Sequence, residues 1–250
     1  MAWGTPYWTM AAPSDLEVTE RSLPRRKKER VFHDRERAYA ILDEALVCHV
    51  GFSDGATTWV LPTTFARVDD VVYLHGAVGN HMFRTLGAGV PACLCATLLD
   101  GIVLARSARH HSMNYRSVVL FGTARRVDDV AEKRRALDAI VDHVAPGRSA
   151  DARPPTDDEL RTTLVVAFPV EEGSAKVRSG GPVDDAEDMA LPVWAGVVPL
   201  AVAAGVPVPD AGVPEAGVPD AGVPDAGAVA LAPAYVTDFV GHRSRSYDGS

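Results

Sequence analysis

Three stretches of the chain combine residue types and spacings that could do chemistry. In the first, Leu61-Pro62-Thr63-Thr64 is followed by Tyr73-Leu74-His75-Gly76-Ala77-Val78-Gly79-Asn80-His81. Pro62 lacks the N–H that a central strand needs, so its strand belongs at an edge or rim. Thr63 and Thr64 then offer hydroxyls and backbone N–H groups at a barrel mouth, a common place for a small ligand. His75-Gly76 leads into a helix start at Asn80, whose free N–H groups favour a phosphate. Gly76 and Gly79 would let a ligand approach, and Arg84, one turn on, could add charge. Spacing alone leaves a plain glycine-rich connection as the competing reading.

The second stretch runs from Arg106 to Ser117 and includes Arg109-His110-His111 and Asn114-Tyr115-Arg116-Ser117. Adjacent loop histidines seldom reach one ion, and no acid or cysteine stands nearby at ligand spacing, so no metal is expected. An anion- or ring-contacting loop fits better. The third joins Ser174, Lys176 and Arg178, on one strand face, to Trp194 between Pro192 and Gly196. A solvated face and a packed tryptophan are the plain readings; a substrate-facing strand and a ring beside a flat cofactor are the alternatives. No Ser/His/Asp set, paired catalytic carboxylates or thiolate motif emerges, so any difficult chemistry must come from a cofactor.

The elements that must position these residues are mostly strands. Ala38, Ile41, Leu42, Ala45 and Leu46 recur at helical spacing. Val47–Ser53, Trp59–Val68 and Val71–His75 then carry strand signals, with Ser53-Asp54-Gly55 as a turn cluster and Asp69-Asp70 as a tight turn. A short helix over 80–86 is closed by Gly87, Gly89 and Pro91. Asp100-Gly101 between Ala92–Leu99 and Ile102–Ala105 predicts a hairpin. A long strand over 115–127 precedes a helix to about Val144, with Asp128 and Asp129 as candidate caps and Val130, Leu137, Ile140, Val141 and Val144 as its apolar stripe. Two strands, Leu164–Val170 and Ser174–Arg178, follow. Antiparallel strands joined by turns predict a mainly β fold, a closed barrel with flanking helices. No GxGxxG follows a strand, which excludes a Rossmann reading.

The 250 residues fit one medium domain with appendages. With 33 acids against 25 Lys and Arg, net charge −8, a phosphate-tracking nucleic-acid binder is set aside. Cys48, Cys93 and Cys95 have neither metal nor redox spacing and suggest reduced core thiols. The first residues lack a signal-peptide pattern, and no long apolar run predicts a membrane span, so a cytoplasmic protein is expected. Residues 1–24 carry three prolines and no periodicity, as a flexible arm would. Residues 201–250 form a Pro/Gly/Ala/Val tail with three near-copies of a pentapeptide, for which disorder is expected.

Taken in order, Pro62-Thr63-Thr64, Tyr73-Leu74-His75-Gly76, Gly79-Asn80-His81, Asn114 to Val119 and Phe121-Gly122 resemble the pyridoxamine 5′-phosphate oxidase-like family. The resemblance covers about residues 25–200 and leans toward the flavin-nucleotide-binding, nitroimidazole-reductase-like branch. It implies a six-stranded antiparallel split barrel that forms a homodimer, with FMN in clefts at the interface. By position it implies that Pro62, Thr63 and Thr64 line the flavin ring, and that His75 and Gly76 flank the ribityl chain and phosphate. Asn80 and His81 stand where the oxidases carry a basic pair. Ser117 and Arg116 would reach the flavin from another strand, and Trp194 would close the cleft of the partner subunit. A histidine at position 81 implies phosphate binding that weakens as pH rises. The oxidases' C-terminal substrate signature is not evident, so pyridoxamine phosphate is not the expected substrate.

The expected function is an FMN-dependent oxidoreductase moving electrons from a reduced nicotinamide to a small organic acceptor. A non-catalytic flavin-storage module is one alternative. A haem- or deazaflavin-binding relative on the same barrel is the other, kept open by His75, His81, His110 and His111.

Overall fold

The structure, a computed structural model, describes residues 14–205, 207, 208 and 210. The pentapeptide repeats and residues 235–240 lie outside them.

The first helix, α1 (Arg35–Glu44), starts where Asp34 accepts a hydrogen bond from the Arg37 N–H and buries Ala38, Ile41 and Leu42. Strands β2 (Val47–Ser53), β3 (Thr58–Val68) and β4 (Val71–Ala77) follow as an antiparallel meander. Asn80 caps α2 (His81–Gly87), and two long strands come next, β5 (Pro91–Leu104) and β6 (Ser112–Thr123). Helix α3 (Val130–Val144) is capped by Asp129, and short α4 (Arg148–Asp151) and α5 (Asp157–Thr162) lead to β8 (Thr163–Pro169) and β9 (Glu172–Arg178). Three minor strands, β1 (Val31–Phe32), β7 (Arg125–Arg126) and β10 (Gly196–Pro199), complete the sheet. With them the sheet has ten strands among the described residues, where six were expected; the other seven are the longer ones. Two to four residues are too few for strand alternation to register in a sequence.

The strand order is β1-β9-β6-β5-β2-β3-β4-β8-β7, all antiparallel, with β10 on the far end of β5. The inner face wraps one core that joins Val50, Leu94 and Leu120 to Phe65, Leu74 and Phe168. Helices α1 and α2 add Ile41, Leu42, Phe83 and Leu86 to it. Each such side chain contributes about 1.5–3 kcal/mol by leaving water, which is why this face dictates the register. A second, smaller cluster under α3 joins Val127, Ala136, Val165 and Ala167 to Tyr73 and Leu137.

Three expectations change. Asp100-Gly101 is not a hairpin but the middle of β5, where the pairing with β6 shifts register between Leu99 and Gly101. Asp100 accepts from the Arg116 guanidinium at 2.8 Å. A Cβ on Gly101 would stand 3.0 Å from Val197 Cγ1 and 3.2 Å from Val198 O, so the glycine admits β10, not a turn. In the stretch read as an arm, Leu16 is buried in the core, and its N–H donates to His33 O at 2.6 Å. Asp15 bridges Asp34, and the Glu17 N–H donates to Glu171 O at 2.7 Å, which ties Glu17 to the start of β9. Of the stripe expected on α3, Ile140 is buried while Val130, Val141 and Val144 face solvent.

Only Cys48 among the three thiols is a core residue; Cys93 and Cys95 lie half-buried on the outer face. Burial pushes the Cys48 thiol up to about 12. Alkylation at pH 9 should therefore spare Cys48 in the folded protein and label it once denaturant is added, as read by mass spectrometry. The same shift means that Cys48 costs no stability below the ordinary thiol range. Its contribution is lost as pH climbs toward about 12, because the unfolded chain releases the proton first.

Candidate functional site

The site is a fork in the sheet. Strand β3 pairs with β2 over Thr58–Thr64 and with β4 only from Phe65 onward, where Phe65 faces Leu74. Beyond that point β4 leaves β3, and its His75, Gly76 and Ala77 keep only the pairing with β8 that runs the length of β4. The edge of β3 at Leu61–Thr64 and the edge of β4 at His75–Ala77 therefore diverge, each with one side off the ladder. Pro62 sits on the open side of β3, opposite His49 of β2, where its missing N–H costs no sheet bond. Alternation along β3 sends Val60, Pro62 and Thr64 outward to solvent, and Thr63 opposite Cys48.

Helix α2 bridges the fork. Its Phe83 ring fills the space where Gly76 lacks a Cβ, so Gly76 is a packing glycine before it is a ligand-approach glycine. Gly79 has open space at the same position. The Asn80 side chain accepts from the Met82 N–H at 2.9 Å, which starts the helix and leaves Asn80 exposed. His75 lies beside them, partly buried. Its Nδ1 is buried with no partner among the described residues, and burial lowers its pKa, so the ring is neutral near pH 7. Such an orphan is costly unless something hydrogen-bonds it, and it fits a polar ligand atom in the fork.

His81 turns the other way. Its Nε2 lies 3.1 Å from Asp54 Oδ2, which also accepts from Trp59 Nε1–H at 3.0 Å, and its ring meets Trp59 edge-on at 5.6 Å. Asp54 is held well below the usual carboxylate range, first by the Thr57 N–H and then by Trp59. The turn Ser53-Asp54-Gly55 announced only a change of direction; that its carboxylate would face α2 depends on the sheet bringing residues 54 and 81 together.

The remaining predicted residues are elsewhere in the chain. Arg116 clamps Asp100 and Glu44 at 2.8 Å each, and the hydrogen bonds to Glu44, then Asp100, raise its pKa further. Ser117 lies between Thr97 and Lys176 on β6. Strands β5 and β2 separate it from β3, roughly 14 Å at ordinary strand spacing. Trp194 is 65% exposed and stacks its ring edge over Gly196, just before β10. Within one chain the fold thus gathers Pro62, Thr63, Thr64, His75, Gly76 and Asn80 at the fork with His81 at its rim, and keeps Arg116, Ser117 and Trp194 away.

The sequence profile of the family described as pyridoxamine 5′-phosphate oxidase matches residues 34–177, which span the fork and both long strands. The chain belongs to that family. Among solved structures it is similar to the flavocytochrome Anf3 from Azotobacter vinelandii, 38% identical, with 83% of this chain and 94% of that one covered at a TM-score of 0.74. The FAD and haem binding protein from Mycobacterium smegmatis is 36% identical over 84% of this chain and 97% of its own, also at 0.74. A protein assigned to 5-nitroimidazole antibiotic resistance in Bacteroides thetaiotaomicron is 28% identical over 59% of this chain and 86% of its own, at 0.50. No curated protein matches. Membership in the pyridoxamine 5′-phosphate oxidase-like family makes the fold a flavin-binding split barrel. No helix among the described residues is long and apolar enough to cross a membrane.

Proposed function

We propose that this protein is a flavin-dependent oxidoreductase that holds its flavin in the β3/β4 fork and moves electrons from a reduced nicotinamide to a small organic acceptor. The observation that carries the reading is the fork itself: two diverging strand edges and the unpartnered Nδ1 of His75 in a chain of this family. A bound flavin supplies the electron transfer. The chain's residues bind and orient it. Thr64 and the free edge of β3 meet the ring by hydroxyl and backbone contacts, neutral His75 adds a directed hydrogen bond, and the Gly79-Asn80 connection admits the phosphate. The sequence pointed to FMN; the two relatives above 35% identity are described with flavin and haem, one of them with FAD by name. FAD is therefore the flavin we assign, with haem as a second cofactor in the alternative reading.

The same reading makes the protein a homodimer. The outward face beside the fork exposes Val47 at 44% and Val60 at 64%, next to Pro62, an apolar stretch that a second copy would cover. Trp194, remote from its own fork, then closes that of the second copy.

The visible spectrum of the purified protein tests the assignment. Flavin bands are expected, and extraction with chromatography identifies FAD or FMN; a Soret band selects the haem reading. A colourless protein that quenches neither added FMN nor added FAD sinks the proposal.

A further inference from the structure

Beside α2, a cleft of about 220 Å³ is walled by Arg84 of α2, Arg126 of β7, Lys133 of α3 and Arg161 of α5. Val127 and Val165 form part of its floor. Four cations around one small cleft are unexpected in a chain of net charge −8. Folding brings them together from four separate elements. Two carboxylates answer them: Asp128 meets Arg126 at 2.8 Å, and Asp158 meets Arg161 at 2.8 Å. Lys133 Nζ donates to the Leu160 carbonyl at 2.6 Å, which positions the ammonium without neutralising it. The Arg84 side chain forms no ion pair among the described residues. Two positive charges are left uncompensated.

The geometry points to a diphosphate-binding site, one that takes the diphosphate of a dinucleotide. Its volume is below the roughly 300 Å³ at which pockets begin to enclose drug-sized ligands, so it admits a phosphoryl group and leaves the attached nucleosides outside. Three guanidinium groups and an ammonium match oxygens carried on adjacent phosphorus atoms, where a single carboxylate would answer only one of them. Burial, and then the charge of Arg126, push the Lys133 pKa down, and an incoming anion reverses the second effect. The cleft also adjoins the fork. Val78, on its wall, lies between Gly76 and Asn80, and Val165, on its floor, is the register partner of His75. A dinucleotide could therefore have its diphosphate here and a ring in the fork, though the site stands on the cations alone and not on the flavin reading.

Isothermal titration of inorganic pyrophosphate into the full chain at low ionic strength tests this. One saturable site is expected, with orthophosphate weaker. The double variant Arg84→Gln/Lys133→Gln should weaken pyrophosphate by about tenfold or more, as loss of charge-assisted contacts does. The amide introduced by Lys133→Gln keeps a donor for the Leu160 carbonyl, and Arg84 is exposed, so the fold should persist. Arg135→Gln, on α3 but outside the cleft, should bind as the unmodified chain does. Absence of saturable binding, or an unchanged affinity in the double variant, overturns the site. Displacement of pyrophosphate by FAD but not FMN assigns the cleft to the flavin's own diphosphate, and displacement by NADH assigns it to the electron donor. Pyrophosphate that neither dinucleotide displaces overturns the dinucleotide assignment. FMN fluorescence quenching by the same variants keeps the two proposals separate, since FMN carries no diphosphate: lost pyrophosphate binding with intact quenching touches the cleft alone.

Discussion

Asn80→Asp should bind flavin about five- to a hundredfold more weakly while unfolding at nearly the same temperature. The substitution changes charge and almost nothing else. Asn80 serves α2 through one oxygen, which accepts from the Met82 N–H at 2.9 Å, and aspartate offers the same oxygen at the same helix start. Its negative charge even favours the positive end of the helix. A flavin phosphate admitted by the Gly79-Asn80 connection would meet a like charge at roughly 5 Å. Between the dielectric of water and that of a protein surface, this costs about 1–3 kcal/mol per pair of unit charges. Fluorescence titration of FMN and FAD reads the affinity, and the loss should shrink as salt is raised. Unchanged affinity in a folded Asn80→Asp protein would place the phosphate elsewhere.

Gly76→Ala should lose about 1–3 kcal/mol of stability, the usual cost of overpacking. An added Cβ would overlap the Phe83 ring, and that ring is buried at 3% exposure among residues that cannot all retreat. In a chain of this size each kcal/mol lowers the melting temperature by about 2–4 °C. Gly76→Ala with Phe83→Leu should recover part of the loss, because the smaller side chain vacates the position the methyl takes. A double-mutant cycle measures that coupling. Independent, additive losses would show that Phe83 does not determine the glycine. Phe83 seats α2 against β4, so flavin affinity should fall along with stability in Gly76→Ala and return in the double variant.

The two substitutions fall in one motif that was conspicuous in the sequence, yet its glycines divide in a way the motif does not show. Gly76 and Gly79 look alike as residues that let a ligand approach. The structure gives one to a phenylalanine seven residues later and leaves the other open. Asp100-Gly101 makes the same point from the opposite direction. Local turn chemistry favours a hairpin there, but β10, almost a hundred residues on, and the Arg116 clamp hold the segment straight. The long-range contact outweighs a local preference worth little by itself.

What the sequence determined is what local rules determine. Alternation placed β2, β3 and β4, caps at Asn80 and Asp129 started helices, and an ordered set of motifs marked the family. These depend on neighbours within a few residues. Pro62 even announced an open strand edge, because a missing N–H is a property of one residue. Only the tertiary structure decided where β3 and β4 part, that His75 is left with an unpartnered ring nitrogen, and that His81 turns to Asp54. It alone gathered Arg84, Arg126, Lys133 and Arg161 around one cleft. Each of these joins residues distant in the chain, and sequence periodicity holds no record of which distant residues a folded sheet will bring face to face.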